Sequence, residues 1–213
     1  MKIGILGSGI VAQTLGAGFL QRGHQVLLGT GTPAKLDDWA AQHREGRVGS
    51  FADAAGFGDV VVLAVKGSAA LAALRTAGAA ALRGKTVIDT TNPIADAPPV
   101  NGVLQYFTGP NESLLERLQH EFPHVKFVKA FNSVGSAFMV NPAFENGPPT
   151  MFICGDDAAA RAQVASLVQA FGWEVADMGP AVAARGIEPL CILWCIPGLQ
   201  RNEWRHAFRL LKA

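Results

Sequence analysis

Several protein classes are excluded by what this chain has little of. Three cysteines in 213 residues are too few for a disulfide framework and fit a reducing compartment. Charged residues make up only 16% and the net charge is +1. No basic stripe runs along any segment, so nucleic acid is not an expected partner. The longest apolar run near the end, Leu190–Ile196, falls well short of the roughly 20 residues that span a bilayer, so no membrane partner is expected. A strand that begins at residue 2 leaves no room for a signal peptide, and a cytoplasmic protein is the expectation.

Proton donors are also scarce. The single tyrosine is Tyr106 and there are five histidines. His24 precedes a strand, His43 lies on a polar helix, His120 and His124 flank a loop, and His206 is in the tail. None sits at a predicted carboxyl end of a strand, where a general acid or base would stand beside a carbonyl. Phe122 and Pro123 lie between His120 and His124 and no third ligand follows, so no metal is expected. Cys191 and Cys195, four apart on an apolar helix, read as small buried residues.

What is present begins at once. Lys2–Leu6 reads as a short apolar strand, Gly7-Ser8-Gly9-Ile10-Val11-Ala12 follows, and Gln13–Gln21 reads as a helix. This is G-x-G-x-x-A between a strand and a helix, the context that gives the pattern meaning. Gly7 permits the tight turn and Gly9 lets a pyrophosphate approach the backbone. Ala12 keeps the helix close to the strand. The helix amides and dipole then meet the phosphate charge. The motif predicts dinucleotide binding.

Further strands are predicted at His24–Gly29, Val48–Ser50, Asp59–Val65, Lys85–Thr90, Val125–Ala130, Thr150–Cys154 and Trp173–Asp177. Helices are predicted from Pro33 through Ala40, from Phe51, over Ala69–Leu82 and Glu112–Phe122, and from Gly155-Asp156-Asp157, with acidic residues in the first turn. Ala181–Lys212 reads as mostly helical with a break at Pro197-Gly198. The alternation predicts an α/β fold, a doubly wound parallel sheet with a small helical C-terminal part. The division falls at residues 1–149, the nucleotide-binding domain, and 150–213, an extension packing on it. Ligands of such sheets bind outside the carboxyl ends of the strands.

The loop after the second strand, Gly29-Thr30-Gly31-Thr32-Pro33-Ala34-Lys35, holds no carboxylate before Asp37. A carboxylate there would repel a 2′-phosphate, whereas Thr30, Thr32 and Lys35 form a clamp for one, favouring NADP(H). Ala64, Val65 and Lys66 end a strand that passes beneath the cofactor. Asn92-Pro93 and Ala130-Phe131-Asn132 end the next two, and an amide so placed can meet the nicotinamide end. Without a general acid, the fitting hydride acceptor is a ring that delocalises charge, a flavin or deazaflavin. Met139, Trp194 and Ile196 are candidates to roof such a pocket.

Gly7–Ala12, Gly29-Thr30 with Lys35, Asp89-Thr-Thr-Asn-Pro93, Val128-Lys-Ala-Phe-Asn132, Cys154-Gly-Asp-Asp157 and Ala184-Arg-Gly-Ile-Glu-Pro-Leu190 together resemble the NADPH-dependent F420 reductase family. The oxidoreductase domain of the STEAP metalloreductases is similar. The resemblance implies an NADP-binding Rossmann domain, commonly a homodimer, with F420, FMN or FAD as acceptor. It implies that Ser8–Val11, Thr30–Lys35, Ala64-Val65, Asn92-Pro93 and Ala130–Asn132 line the cofactor site, with no catalytic residue assigned. The family usually has arginine after position 30, where this chain has Gly31. This removes a phosphate-pairing and stacking group. Two other functions fit the sequence: an NADP(H)-binding redox sensor or docking module, and a small carbonyl or imine reductase.

Overall fold

The computed structural model describes residues 1–212. The chain alternates strand and helix from its start: β1 (Lys2–Leu6), α1 (Ile10–Gln21), β2 (Gln25–Gly29), α2 (Asp37–Gln42), β3 (Arg47–Gly49), α3 (Phe51–Phe57) and β4 (Val60–Leu63). There follow α4 (Ala70–Ala77), α5 (Ala79–Leu82), β5 (Thr86–Asp89), α6 (Leu114–Glu121) and β6 (Lys126–Lys129). The last part holds β7 (Thr150–Ile153), α7 (Ala158–Ala170), β8 (Glu174–Asp177), α8 (Ala184–Ile187) and α9 (Pro189–Arg201).

Six strands form one parallel sheet in the order β3-β2-β1-β4-β5-β6. β7 and β8 pair in parallel beside it, joined to β6 by an antiparallel bridge between Lys129 and Cys154. The strands carry apolar side chains on both faces because helices cover both. In β4, Val60 and Val62 enter one core with Leu15, Phe19, Val164 and Phe171. Val61 and Leu63 enter the other with Leu74, Leu115 and Ile187. Met151 and Ile153 of β7 share a core with Ile3 and Ile5 of β1, so the segments on either side of residue 149 have no separate interiors.

Local chemistry sets the helix starts. Ser50 and Asp53 form a reciprocal capping box on α3, Ser113 and Glu116 another on α6, and Asp157 accepts from the Ala160 amide to open α7. β1 packs tightly on α3: a Cβ on Gly4 would collide with the Ala54 carbonyl.

Three expectations need correction. The helix predicted over residues 69–82 breaks at Gly78, whose φ of 92° no helix accommodates. Pro197 does not end the last helix, which runs to Arg201 and stops at left-handed Asn202. The described tail beyond it, to Lys212, holds no helix. Trp204 folds back over Gly198, and Phe208 carbonyl accepts the Thr150 amide at 2.9 Å. The helical stretch begins at Ala181, as the sequence predicts. Ala181–Arg201, a 3-10 turn followed by α8 and α9, spans 21 residues and is long and apolar enough by length and composition to cross a membrane. One of its faces is buried in the fold, with Ala181, Ala184, Ile187 and the charged Glu188 all enclosed.

Gly4→Ala is expected to lose about 1–3 kcal/mol of stability by overpacking the β1–α3 contact. Urea denaturation of the two proteins measures the difference.

Candidate functional site

A cleft of about 980 Å³ opens at the carboxyl ends of β1, β4 and β5. Its floor is the turn into α1. Gly7, with φ 149°, donates its amide to Gly29 carbonyl at 2.9 Å, and any side chain there would strike Ala64 carbonyl. Ser8, Gly9, Ile10 and Val11 line the cleft. The space a Cβ of Gly9 would occupy is clear of neighbours to 4 Å. No side chain caps α1 and no acidic residue occupies its first turn. Its amides and positive dipole end are therefore available to an anion.

The loop after β2 divides its labour. Thr30 is buried, and its hydroxyl accepts the Thr32 amide at 3.0 Å, so it shapes the turn from within. Gly31, Thr32 and Lys35 are exposed, and Lys35 lines the cleft. A Cβ on Gly31 would meet nothing within 4 Å. Gln13 links the two loops, its amide nitrogen bonding Ser8 carbonyl at 2.9 Å.

The opposite wall comes from Ala64, Val65, Lys66, Gly67 and Ser68 after β4, and Thr90, Thr91 and Asn92 after β5. These loops touch closely, since a Cβ on Gly67 would run into Asn92 carbonyl. Residues 94–107 fold out as a hairpin, Ile94 opposite Tyr106 and Val100 opposite Val103, and Ile94–Ala97 complete the wall. Lys66 and Asp96 face each other across the mouth at 3.9 Å, both largely exposed, a pair that contributes little to stability.

Behind the wall lies a cluster of buried charge. Lys129 Nζ stands 2.6 Å from Asp89 Oδ2 and 2.9 Å from Glu188 Oε1, all three side chains being 0–2% exposed. Lys129 also donates to Thr91 carbonyl at 2.8 Å. Asp89 Oδ1 accepts the Thr91 hydroxyl and amide at 2.7 and 2.9 Å. Glu188 accepts the Leu114 and Leu115 amides that open α6, at 2.9 and 3.0 Å. Burial opposes the charge on Lys129, but the two carboxylates outweigh it and hold its ammonium above the ordinary lysine range.

Not every predicted site residue reaches the cleft. Gly7, Thr30 and Ala130 support it from below, and Pro93 and Asn132 stand behind Asn92. Asn132 donates to Asn92 Oδ1 at 3.1 Å and its carbonyl accepts Asn92 Nδ2 at 2.8 Å. Phe131, buried with φ 61°, makes the strained turn that presents it. Met139 and Trp194 do not roof the cleft. Met139 is buried in the core against α1 and α7, Trp194 packs on Gly135 and Trp204, and Ile196 is absent from the lining. Among the described residues no group of three or more His, Cys, Asp or Glu gathers as a metal site. Burial pushes the Cys154 thiol up to about 12, so it stays protonated.

Asp89, Lys129 and Glu188 are functional residues whose role no motif in the sequence marks. The signal was available: a charged residue within a buried parallel strand, as in Phe127-Val-Lys129-Ala-Phe131, must have a partner.

Comparison with known proteins places this geometry. Residues 2–93 match the family profile described as NADP oxidoreductase, coenzyme F420-dependent. Metalloreductase STEAP3 of Rattus norvegicus is 30% identical over 204 residues, covering 93% of this chain and 38% of its own. The chain thus spans about two fifths of that relative's length. The solved structure of a candidate F420-dependent NADP-reductase from Arthrobacter sp. FB24 is 32% identical, covers 100% of both chains and has a TM-score of 0.92. An imine reductase from Streptomyces aurantiacus, 16% identical with a TM-score of 0.67 over 91% of this chain and 61% of that one, shares the fold.

Lys129→Met is expected to destabilise the protein by about 3–5 kcal/mol, because two carboxylates lose their buried counter-charge. In the parent protein the Lys129 pKa is raised on folding. Its contribution is therefore complete below the ordinary lysine value of 10.5 and is lost only as pH climbs past it. Urea titrations at neutral and strongly alkaline pH should show the two proteins converging at the alkaline end.

Proposed function

The chain belongs to the family of coenzyme F420-dependent NADP oxidoreductases, and on that premise we propose that it binds NADP(H) in the cleft and transfers hydride between it and a deazaflavin or flavin ring. The observation that carries the reading is the start of α1. A helix end without a side-chain cap lines the cleft beside Gly9, where no neighbouring atom blocks approach. That is the arrangement a pyrophosphate requires.

Ser8, Gly9, Ile10 and Val11 would hold the pyrophosphate. Thr32 and Lys35 would take the 2′-phosphate, with Gly31 between them and Thr30 fixing the turn from inside. Asn92, backed by Asn132 and Pro93, would orient the nicotinamide end against Ala64 and Val65. The cofactor, when bound, supplies the hydride donor or acceptor. The ionisable side chains of the lining are Lys35, Lys66 and Asp96, which suits a reaction governed by alignment of two rings. The STEAP relative is named a metalloreductase and the Arthrobacter protein an F420-dependent reductase, so both names carry the same redox theme. The proposal includes a homodimer acting in the cytoplasm. Exposed Val182, just before α8, and Leu193 of α9 offer apolar surface for the partner copy.

Purified protein is offered NADPH with F420, FMN and FAD in turn, and loss of NADPH absorbance is followed. Turnover with one of them is the expected result. Tight NADPH binding without turnover on any would favour a redox sensor or a module that docks on a protein partner.

Two variants test the 2′-phosphate assignment. Lys35→Ala should weaken NADPH binding about tenfold or more, the worth of a charge-assisted hydrogen bond. Binding of NADH should be unaffected. Gly31→Arg, for which the structure leaves open space, should tighten NADPH and leave NADH unchanged. Fluorescence titration with both dinucleotides reads all four affinities.

A further inference from the structure

Glu188 and its neighbour Ile187 lie in the C-terminal helical stretch, away from the cleft lining, yet the Thr91–Asn92 loop, Asn132 and the 94–107 hairpin are all tied to them. The Glu188 carboxylate reaches Lys129 at 2.9 Å, and Lys129 holds Thr91 carbonyl at 2.8 Å. The Glu188 carbonyl accepts the Tyr106 hydroxyl at 2.7 Å. Tyr106 stands opposite Ile94 in the hairpin, and Ile94 lines the cleft. The Ile187 carbonyl accepts Asn132 Nδ2 at 3.0 Å, and Asn132 holds Asn92.

The local backbone lets this joint serve three loops. Cys191 bonds Glu188 carbonyl at 3.0 Å instead of reaching one residue further back. Ile187 carbonyl, released from the helical ladder, is free to take a side-chain donor. The commitments are buried: Asn132 is 4% exposed, and its Oδ1 has no hydrogen-bond partner. An amide that leaves its acceptor unpaired in the interior is held by what its donors bind.

We propose that Ile187 and Glu188 are positioning residues for hydride transfer: they fix the Thr91–Asn92 loop, Asn132 and the 94–107 hairpin, and so set the nicotinamide half of the cleft from outside it. The proposal rests on the cofactor reading above. The adenosine half, built from the loops after β1 and β2, has no tie to this joint. Disturbing the joint must therefore separate the two halves of the ligand.

The test compares NADPH with adenosine 2′,5′-bisphosphate, which carries the adenosine half alone, on the parent protein, Glu188→Gln and Tyr106→Phe. Glu188→Gln keeps the shape and removes the charge facing Lys129. Tyr106→Phe releases the hairpin without touching the ion cluster, and serves if Glu188→Gln does not fold. The expected result is NADPH affinity lowered about tenfold in Glu188→Gln, less in Tyr106→Phe, with the bisphosphate changed by less than about twofold in both. Nicotinamide fluorescence in the complexes should shift in the same order. Equal weakening of both ligands, or of neither, overturns the positioning role. A parent protein that binds neither ligand overturns the cofactor reading itself.

Discussion

An ammonium group without water is the constraint around which this molecule is arranged. Lys129 is fully enclosed between two strands' ends and a helix, where an unpaired charge could not persist. Two carboxylates against one ammonium would still leave a surplus negative charge. The excess is spread over the Leu114 and Leu115 amides at the positive end of α6, and over the Thr91 amide and hydroxyl. The cluster closes only when β5, β6, α6 and α9 are all in place. Apolar packing tolerates sliding, but this set of contacts is satisfied in one register. It thereby specifies where the C-terminal helix sits on the sheet.

Charge also explains the contrast between the helix starts. α3, α6 and α7 satisfy their first amides with Ser50, Ser113 and Asp157. α1 begins at Gly9 with no such acceptor, and its opening residues line the cleft. α2, α4, α5, α8 and α9 also start without a side-chain cap, so what sets α1 apart is that its uncapped start lines the cleft, where its amides face an external anion. Burial of Thr30 serves the same cleft, since its hydroxyl makes the turn that carries Thr32 and Lys35 outward.

The strand–helix alternation and the motif at residues 7–12 were legible because each rests on local rules: apolar runs for buried strands, glycine for a tight turn, alanine for close packing. Where long-range contacts decide, local rules failed. The tail after Arg201 has helical composition but holds no helix, fixed instead by Trp204 stacking on Gly198 and by Phe208 meeting Thr150. Apolar and alanine-rich composition predicts one helix over Ala69–Leu82, yet Gly78 takes a positive-φ turn between α4 and α5. Trp194 looked like a pocket wall because apolar helical residues carry no mark of which side they face. Lys129 was passed over as part of a resemblance, although a lysine among Phe127, Val128 and Ala130 was itself the clue to the buried cluster. Its partners lie 40 and 59 positions away in sequence (129 − 89 and 188 − 129), and no local pattern names them.

The same cluster bears on how the long C-terminal helix should be understood. By length and composition Ala181–Arg201 could cross a bilayer. In lipid, however, Glu188 would face hydrocarbon alone, whereas in the folded chain it has an ammonium and two amides at 2.9 to 3.0 Å. The desolvation of Glu188 is compensated only by partners that the sheet supplies. Withdrawing the helix would strand Lys129 as well, with Asp89 its one remaining carboxylate partner. The apolar length of this stretch is therefore better accounted for by the face it buries against β6 and α6, with Val182 and Leu193 left outward. A helix held so firmly by its interior charge can carry position across the fold, from its own surface to the loops beside the cleft, without contributing an atom to the lining.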